Sequence, residues 1–126
     1  MRLASLALGL VHGLASAEDC NYAATMVELR ECLARERSAA NVEMEQAYRR
    51  LLEEMRTIDK MDHGSRAQTL AAAQRAWRAF REKECQFEYE RMSPGTGAGA
   101  NALACALRLT RERTTGLARS TGETKR

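Results

Sequence analysis

The sequence predicts an all-α fold, a small antiparallel three-helix bundle stapled by two disulfides. Three observations predict it. Apolar residues recur at spacings of three and four in three separate stretches, the period of helices with one buried face. Only one proline, Pro94, interrupts the chain, and no alternating β pattern is present. Four cysteines, Cys20, Cys32, Cys85 and Cys105, form an even set in a short chain, which reads as two bridges.

The chain opens with what reads as an export signal over residues 1–17. Arg2 supplies a positive start, Leu3 to Leu14 is mostly Leu and Ala, and Ala15-Ser16-Ala17 has the small residues of a cleavage site. The apolar run is too short to span a bilayer. Cleavage after Ala17 leaves 109 of the 126 residues, enough for one helical domain over residues 18–126. It also removes Arg2 and His12. The remainder carries 19 basic against 17 acidic side chains, a formal charge of +2. So even a balance gives no electrostatic case for a nucleic-acid partner. Basic residues gather late, at Arg108, Arg111, Arg113, Arg119, Lys125 and Arg126, and read as a solvated helix face.

Helix one is expected to start at Thr25, because Thr25-Met26-Val27-Glu28 fits a capping box. Its inward stripe is Met44, Tyr48, Leu51, Met55 and Ile58. The first turn is expected over Thr57 to Ser65, with Gly64 as the break. Ser65-Arg66-Ala67-Gln68 is a second capping box, opening helix two, which Ser93-Pro94-Gly95 ends. Gly95 to Gly99 reads as a hinge. A phosphate loop would follow a strand and carry a lysine, and this stretch does neither. Helix three carries Leu103, Leu107, Thr110, Thr114 and Leu117 on one face, fraying at Gly116 or Gly122. Short links between three amphipathic helices imply an up-down-up bundle.

Cys85 lies about ten residues before the second turn and Cys105 about ten after it, so antiparallel helices bring them level. Cys20 and Cys32 cannot meet along one helix, since twelve residues rise about 18 Å. The cap at Thr25 leaves residues 20–24 free to fold back toward Cys32. Cys20–Cys32 and Cys85–Cys105 are therefore the favoured pairs; Cys32–Cys85 and Cys20–Cys105 are the rivals. Successive gaps of 12, 53 and 20 residues do not suit a zinc site, so no metal or other cofactor is expected. Nor is an enzyme. His63 stands alone in a turn, and the carboxylates mostly stand near arginines at helical spacing, as Glu45 does with Arg49, the pattern of a wet helix face.

The most informative stretch is QRAWRAFREKEC, residues 74–85, which holds the only tryptophan. Ala73, Trp77, Phe80 and Phe87 are expected to form the inward stripe of helix two, with Trp77 as core anchor. Arg81 stands close to that stripe and needs a partner, because a buried unpaired charge is costly. Asn41, Glu45 and Glu84 are the candidates, which would make Arg81 a clamp between helices one and two. Arg75 is expected to be exposed and free for a partner.

Cys20, Thr25, Glu28, Cys32 and Tyr48, then Gln74, Arg75, Trp77, Phe80, Arg81 and Cys85, then Gly95, Gly97, Cys105, Leu109, Thr110 and Arg113 form a pattern that resembles the LprI-like lysozyme-inhibitor family. The resemblance covers nearly all of the chain after the signal and is most specific in the central stretch. It implies a small exported helical protein of the bacterial periplasm or envelope, without a cofactor. The family often has Asp, then Leu-Asn, ahead of the tyrosine; here those positions read Asn41, Met44 and Glu45. If the family Asp pairs with a helix-two Arg, this chain has a hydrogen bond instead.

The sequence thus points to a secreted or periplasmic interaction protein without a transmembrane segment. Its expected partner is another protein, a lysozyme or other envelope component. Inhibition of a lysozyme-type cell-wall hydrolase is the leading function; a structural or stress-related envelope protein without inhibitory activity is the alternative. Intact-mass analysis of envelope material should find a chain beginning at Glu18; a full-length chain kept in the cytoplasm would contradict the export reading.

Overall fold

A computed structural model describes residues 17–122. The expected signal segment lies outside the described residues except for Ala17, as do Lys125 and Arg126 of the late basic run. A short 3₁₀ turn, Ala17–Tyr22, precedes three helices: α1 (Met26–Asp62), α2 (Arg66–Met92) and α3 (Ala98–Ser120). No strand occurs among the described residues. At 1.5 Å per residue α1 is about 55 Å long, α2 about 40 Å and α3 about 35 Å.

The partners across the helices fix their directions. Gln74, Arg81, Cys85 and Glu88 of α2 meet Arg113, Thr110, Cys105 and Asn101 of α3 in that order. One number rises as the other falls, so the pair is antiparallel. Along α1 and α3 the numbers rise together: Gly99 lies against Arg30, Arg111 bonds Glu36 and the Gly122 amide bonds Glu54. The bundle runs up, down and up.

Cys20–Cys32 and Cys85–Cys105 are both closed, each with Cα atoms 5.6 Å apart. The favoured pairing is the one found. In the chain-entropy picture each closure adds on the order of 3 kcal/mol. Both bridges lie toward the same end of the bundle, away from the α1–α2 turn.

Met44, Leu51 and Met55 of α1 are buried with Ala47 and Leu117, and Tyr48 and Ile58 pack on them half-buried. A second cluster joins Leu33, Ala40, Ala100 and Leu107 around Cys20, and a third surrounds Cys85–Cys105. On α3 the expected face holds: Leu107, Thr110 and Leu117 are buried.

Helix two departs from expectation. Its buried residues are Gln74 and Cys85. Trp77 faces inward half-buried, while Ala73 is exposed and Phe80 and Phe87 are 52% and 55% exposed. The inward line is Gln74, Trp77, Arg81 and Cys85, one position round from the expected stripe. The two lines share Trp77. Hydrophobicity selects the phenylalanines, but Gln74 and Arg81 have polar partners waiting on α1 and α3, and those bonds decide which line faces in.

The helix ends also differ in detail. Thr25 caps α1 by accepting from the Glu28 amide at 3.1 Å, but the Glu28 carboxylate bonds the Ala24 amide, not that of Thr25. α1 runs through the expected turn as far as Asp62 and stops at His63, whose φ of 56° is left-handed. Ser65 occupies the α2 N-cap without using its side chain. Asp59 caps instead, accepting from the Arg66 and Ala67 amides at 3.0 and 2.9 Å. It reaches back from the last turns of α1, so no local motif announces it. The glycine hinge is shorter than expected, since α3 starts at Ala98. Gly99 lies inside α3, where a Cβ would stand 3.3 Å from the Arg30 side chain. Gly116 does not break α3, which runs on to Ser120 before Gly122 at φ 87°.

The late basic residues are not one solvated face. Arg111 pairs with the buried Glu36 at 2.9 Å, and Arg113 turns into the bundle. Glu45 pairs with Arg78 on α2, so it too joins helices and does not serve Arg49.

The Ala67 amide above all, with Arg66, holds the Asp59 carboxyl below the usual aspartate range. A lowered folded pKa adds stability at neutral pH that is lost as pH falls through it. Asp59→Ala should therefore lower the Tm at pH 7, and the gap to wild type should narrow below about pH 4. Thermal melts across pH 2–7 check this; a gap independent of pH would contradict the capping role.

Candidate functional site

The central stretch supplies an inner face and two outer flanks. On the inner face, Arg81 Nη1 donates to Asn41 Oδ1 on α1 at 3.1 Å and to Thr110 Oγ1 on α3 at 2.9 Å. Thr110 is fully buried and its hydroxyl donates in turn to the Ala106 carbonyl. Gln74, 2% exposed, accepts from Arg113 Nε at 2.9 Å and donates to the Met44 sulfur at 3.6 Å. Trp77 stands between the two arginines: the Arg81 guanidinium lies 4.8 Å from its ring centre and that of Arg113 6.0 Å. Such cation–π contacts are worth about 0.5–2 kcal/mol each.

Neither Arg81 nor Arg113 has a carboxylate at ion-pair distance among the described residues. Burial pushes both guanidiniums below their usual pKa, and the like charges of Arg37 and Arg78 add to the effect at Arg81. Two cations thus share a partly dry centre with an aromatic face and neutral oxygens.

One outer flank follows Arg75, Arg78, Glu82, Gln86 and Tyr89. It borders a groove of about 530 Å³ that Arg37 of α1, Arg81 and Leu103 of α3 help to line. The opposite flank carries Phe80 and Phe87. They stand two turns apart, and about half of each side chain is open to solvent.

Of the motif residues singled out from sequence, Gln74, Trp77 and Arg81 meet in the centre. Arg75 and Phe80 are exposed on different flanks. Asn41 was among the partners expected for Arg81; Thr110 was not. Arg113 was also missed, read as part of a wet basic run. Its spacing held the clue, because it stands three residues from Thr110 and four from Leu117, on the buried line of α3. Among the described residues no His, Cys, Asp and Glu cluster could hold a metal, and no helix is long and apolar enough to cross a membrane.

The family model of the lysozyme inhibitor LprI matches residues 17–117. This chain belongs to the LprI lysozyme-inhibitor family. The family's description is of inhibition, not catalysis, and it implies a protein partner. A similar curated protein, an "uncharacterized protein" of Rhizobium meliloti (strain 1021), is 28% identical over 102 residues, 76% of this chain and 73% of that one. No solved structure matches. The two disulfides fit an extracytoplasmic member of the family.

Asn41, Met44 and Glu45, the α1 positions expected to differ from the family pattern, each touch the α2 motif. Asn41 bonds Arg81, Met44 receives the Gln74 amide, and Glu45 pairs with Arg78. The bond expected at Asn41 in place of a salt bridge is present, and the acidic partner of α2 stands one turn along, at Glu45.

Arg81→Ala should lower stability by about 1.5–3 kcal/mol, the worth of hydrogen bonds to a charged group. Trp77→Ala should lower it by about 3 kcal/mol, the low end for a truncated aromatic because the ring is half-buried. Arg75→Ala should stay within about 0.5 kcal/mol of wild type. Urea unfolding of the three variants checks the ranking, and a reversed order for the arginines would reverse the roles assigned to the faces.

Proposed function

We propose that this protein acts outside the cytoplasm, after removal of residues 1–17, as a binder and inhibitor of a lysozyme-type cell-wall hydrolase. Family membership supports the target class. The exposure of Phe80 and Phe87 carries the choice of surface. Large apolar side chains left open on one flank mark protein-contact sites, and aromatic anchors dominate such contacts. The flank belongs to a helix fixed by a disulfide and by the Arg81 bonds, so little ordering cost attends binding.

Charge plays a small part in this reading. A formal charge of +2 after signal removal gives no long-range attraction toward a cationic hydrolase, so association rests on short-range fit. No observation favours the structural or stress-related role over inhibition.

The test is lysis of peptidoglycan by a panel of lysozymes, with the oxidised chain from Glu18 added in increasing amounts. Inhibition of at least one enzyme is expected. Changing both Phe80 and Phe87 to Ser should raise the inhibitory concentration at least tenfold with little change in Tm. Absence of inhibition across the panel would refute the function; full inhibition by the double variant would refute the surface.

A further inference from the structure

We propose that the groove where α1, α2 and α3 meet, beside the Cys85–Cys105 bridge, binds the carboxylate of a short acidic peptide. The groove lies on the flank of α2 opposite Phe80 and Phe87, so it is a second site and does not depend on the surface assigned to the hydrolase. Its volume, about 530 Å³, falls within the range of about 300–1,000 Å³ usual for small ligands.

The lining states the ligand's charge. Arg37, Arg78 and Arg81 face the groove against a single acid, Glu82. Arg78 is paired with Glu45. Arg37 and Arg81 have no carboxylate at ion-pair distance among the described residues. Both hydrogen bonds of Arg81 leave from Nη1, so its Nη2 edge remains for a ligand. Two like charges, Arg37 and Arg78, act on the half-buried Arg81 guanidinium, and two carboxylates, Glu45 and Glu82, offset them in part. Neither acid is at ion-pair distance from it, a poor arrangement for stability alone. A carboxylate set between Arg37 and Arg81 relieves the repulsion and meets a planar donor fork suited to it.

The remaining lining states what carries the charge. Tyr89, Leu103 and Ala106 offer apolar contact for small side chains, and the Gln86 amide oxygen, whose neighbouring Nε2 donates to Glu90, can accept from a peptide N–H. Glu82 stands against a doubly charged phosphate more than against a carboxylate. The disulfide joins α2 to α3 and the Arg81–Asn41 bond ties α1 to them, so the groove is present before the ligand arrives.

Trp77 gives a direct reading, because it is the only tryptophan in the chain and Arg81 lies over its ring. Acetyl-Ala-Glu-Ala-amide, its Gln counterpart and inorganic phosphate are titrated into the oxidised chain, following Trp77 fluorescence and calorimetric heat in parallel. The expected result is saturable binding of the Glu peptide with Kd of about 1 mM or tighter. The Gln peptide and phosphate should bind at least tenfold more weakly. Arg37→Gln should weaken the Glu peptide at least tenfold while keeping the wild-type Tm, since Arg37 is exposed. Changing Phe80 and Phe87 to Ser should leave the peptide's affinity unchanged, which separates this site from the inhibitory surface. Equal binding of the Gln peptide, tighter binding of phosphate, unchanged affinity in Arg37→Gln, or no heat and no fluorescence change up to about 20 mM peptide would each overturn the proposal.

Discussion

One guanidinium nitrogen, Nη1 of Arg81, is shared between Asn41 on α1 and Thr110 on α3, and the register of the bundle follows from it. Helix two fully buries only Gln74 and Cys85, so hydrophobic burial alone holds it weakly in place. A greasy helix could slide or turn on its neighbours at modest cost. Directional bonds at the level of Trp77 forbid that, because a slip of one residue would leave a half-buried cation without acceptors. The Cys85–Cys105 bridge, one turn further along, fixes the same register covalently.

The same constraint accounts for the surface. With Gln74 and Arg81 assigned to the interior beside Trp77, the other aromatic residues of α2 are turned outward. Phe80, Phe87, Tyr89 and Met92 are all 43% exposed or more. A scattered exposed phenylalanine needs no explanation, but two on one flank of a rigid helix do. Polar residues inside and aromatic residues outside invert the usual pattern of a helix packed on a core.

The sequence carried much of this fold. Helical periodicity located all three helices and the inner faces of α1 and α3, and the distances of Cys85 and Cys105 from the glycine turn paired them correctly. The need of Arg81 for a partner pointed to Asn41. Long-range polar choices were less legible. Period alone cannot separate the line through Phe80 from the line through Arg81, since both pass through Trp77 and only the facing helices decide. Asp59 as the cap of α2 was hidden for the same reason: its partners lie across a turn, where the helical spacings used to read a sequence no longer apply. Arg113 and Arg111 read as solvent-facing because charge is usually wet, yet Gln74 and Glu36 wait for them inside.

Both covalent bridges sit toward the end of the bundle where α3 begins, and α3 stops near Glu54, short of the tip that α1 and α2 form around His63. The molecule is therefore graded along its length, like a clothes peg sprung at one end. At the stapled end three helices and two cross-links must come apart together. At the other, two helix ends are joined by a turn and the Asp59 cap. Brief openings that expose amide hydrogens to exchange are expected to start from the His63 tip and to stop before the level of Trp77. Both outer flanks of α2 around Arg81 lie on the quiet side of that boundary.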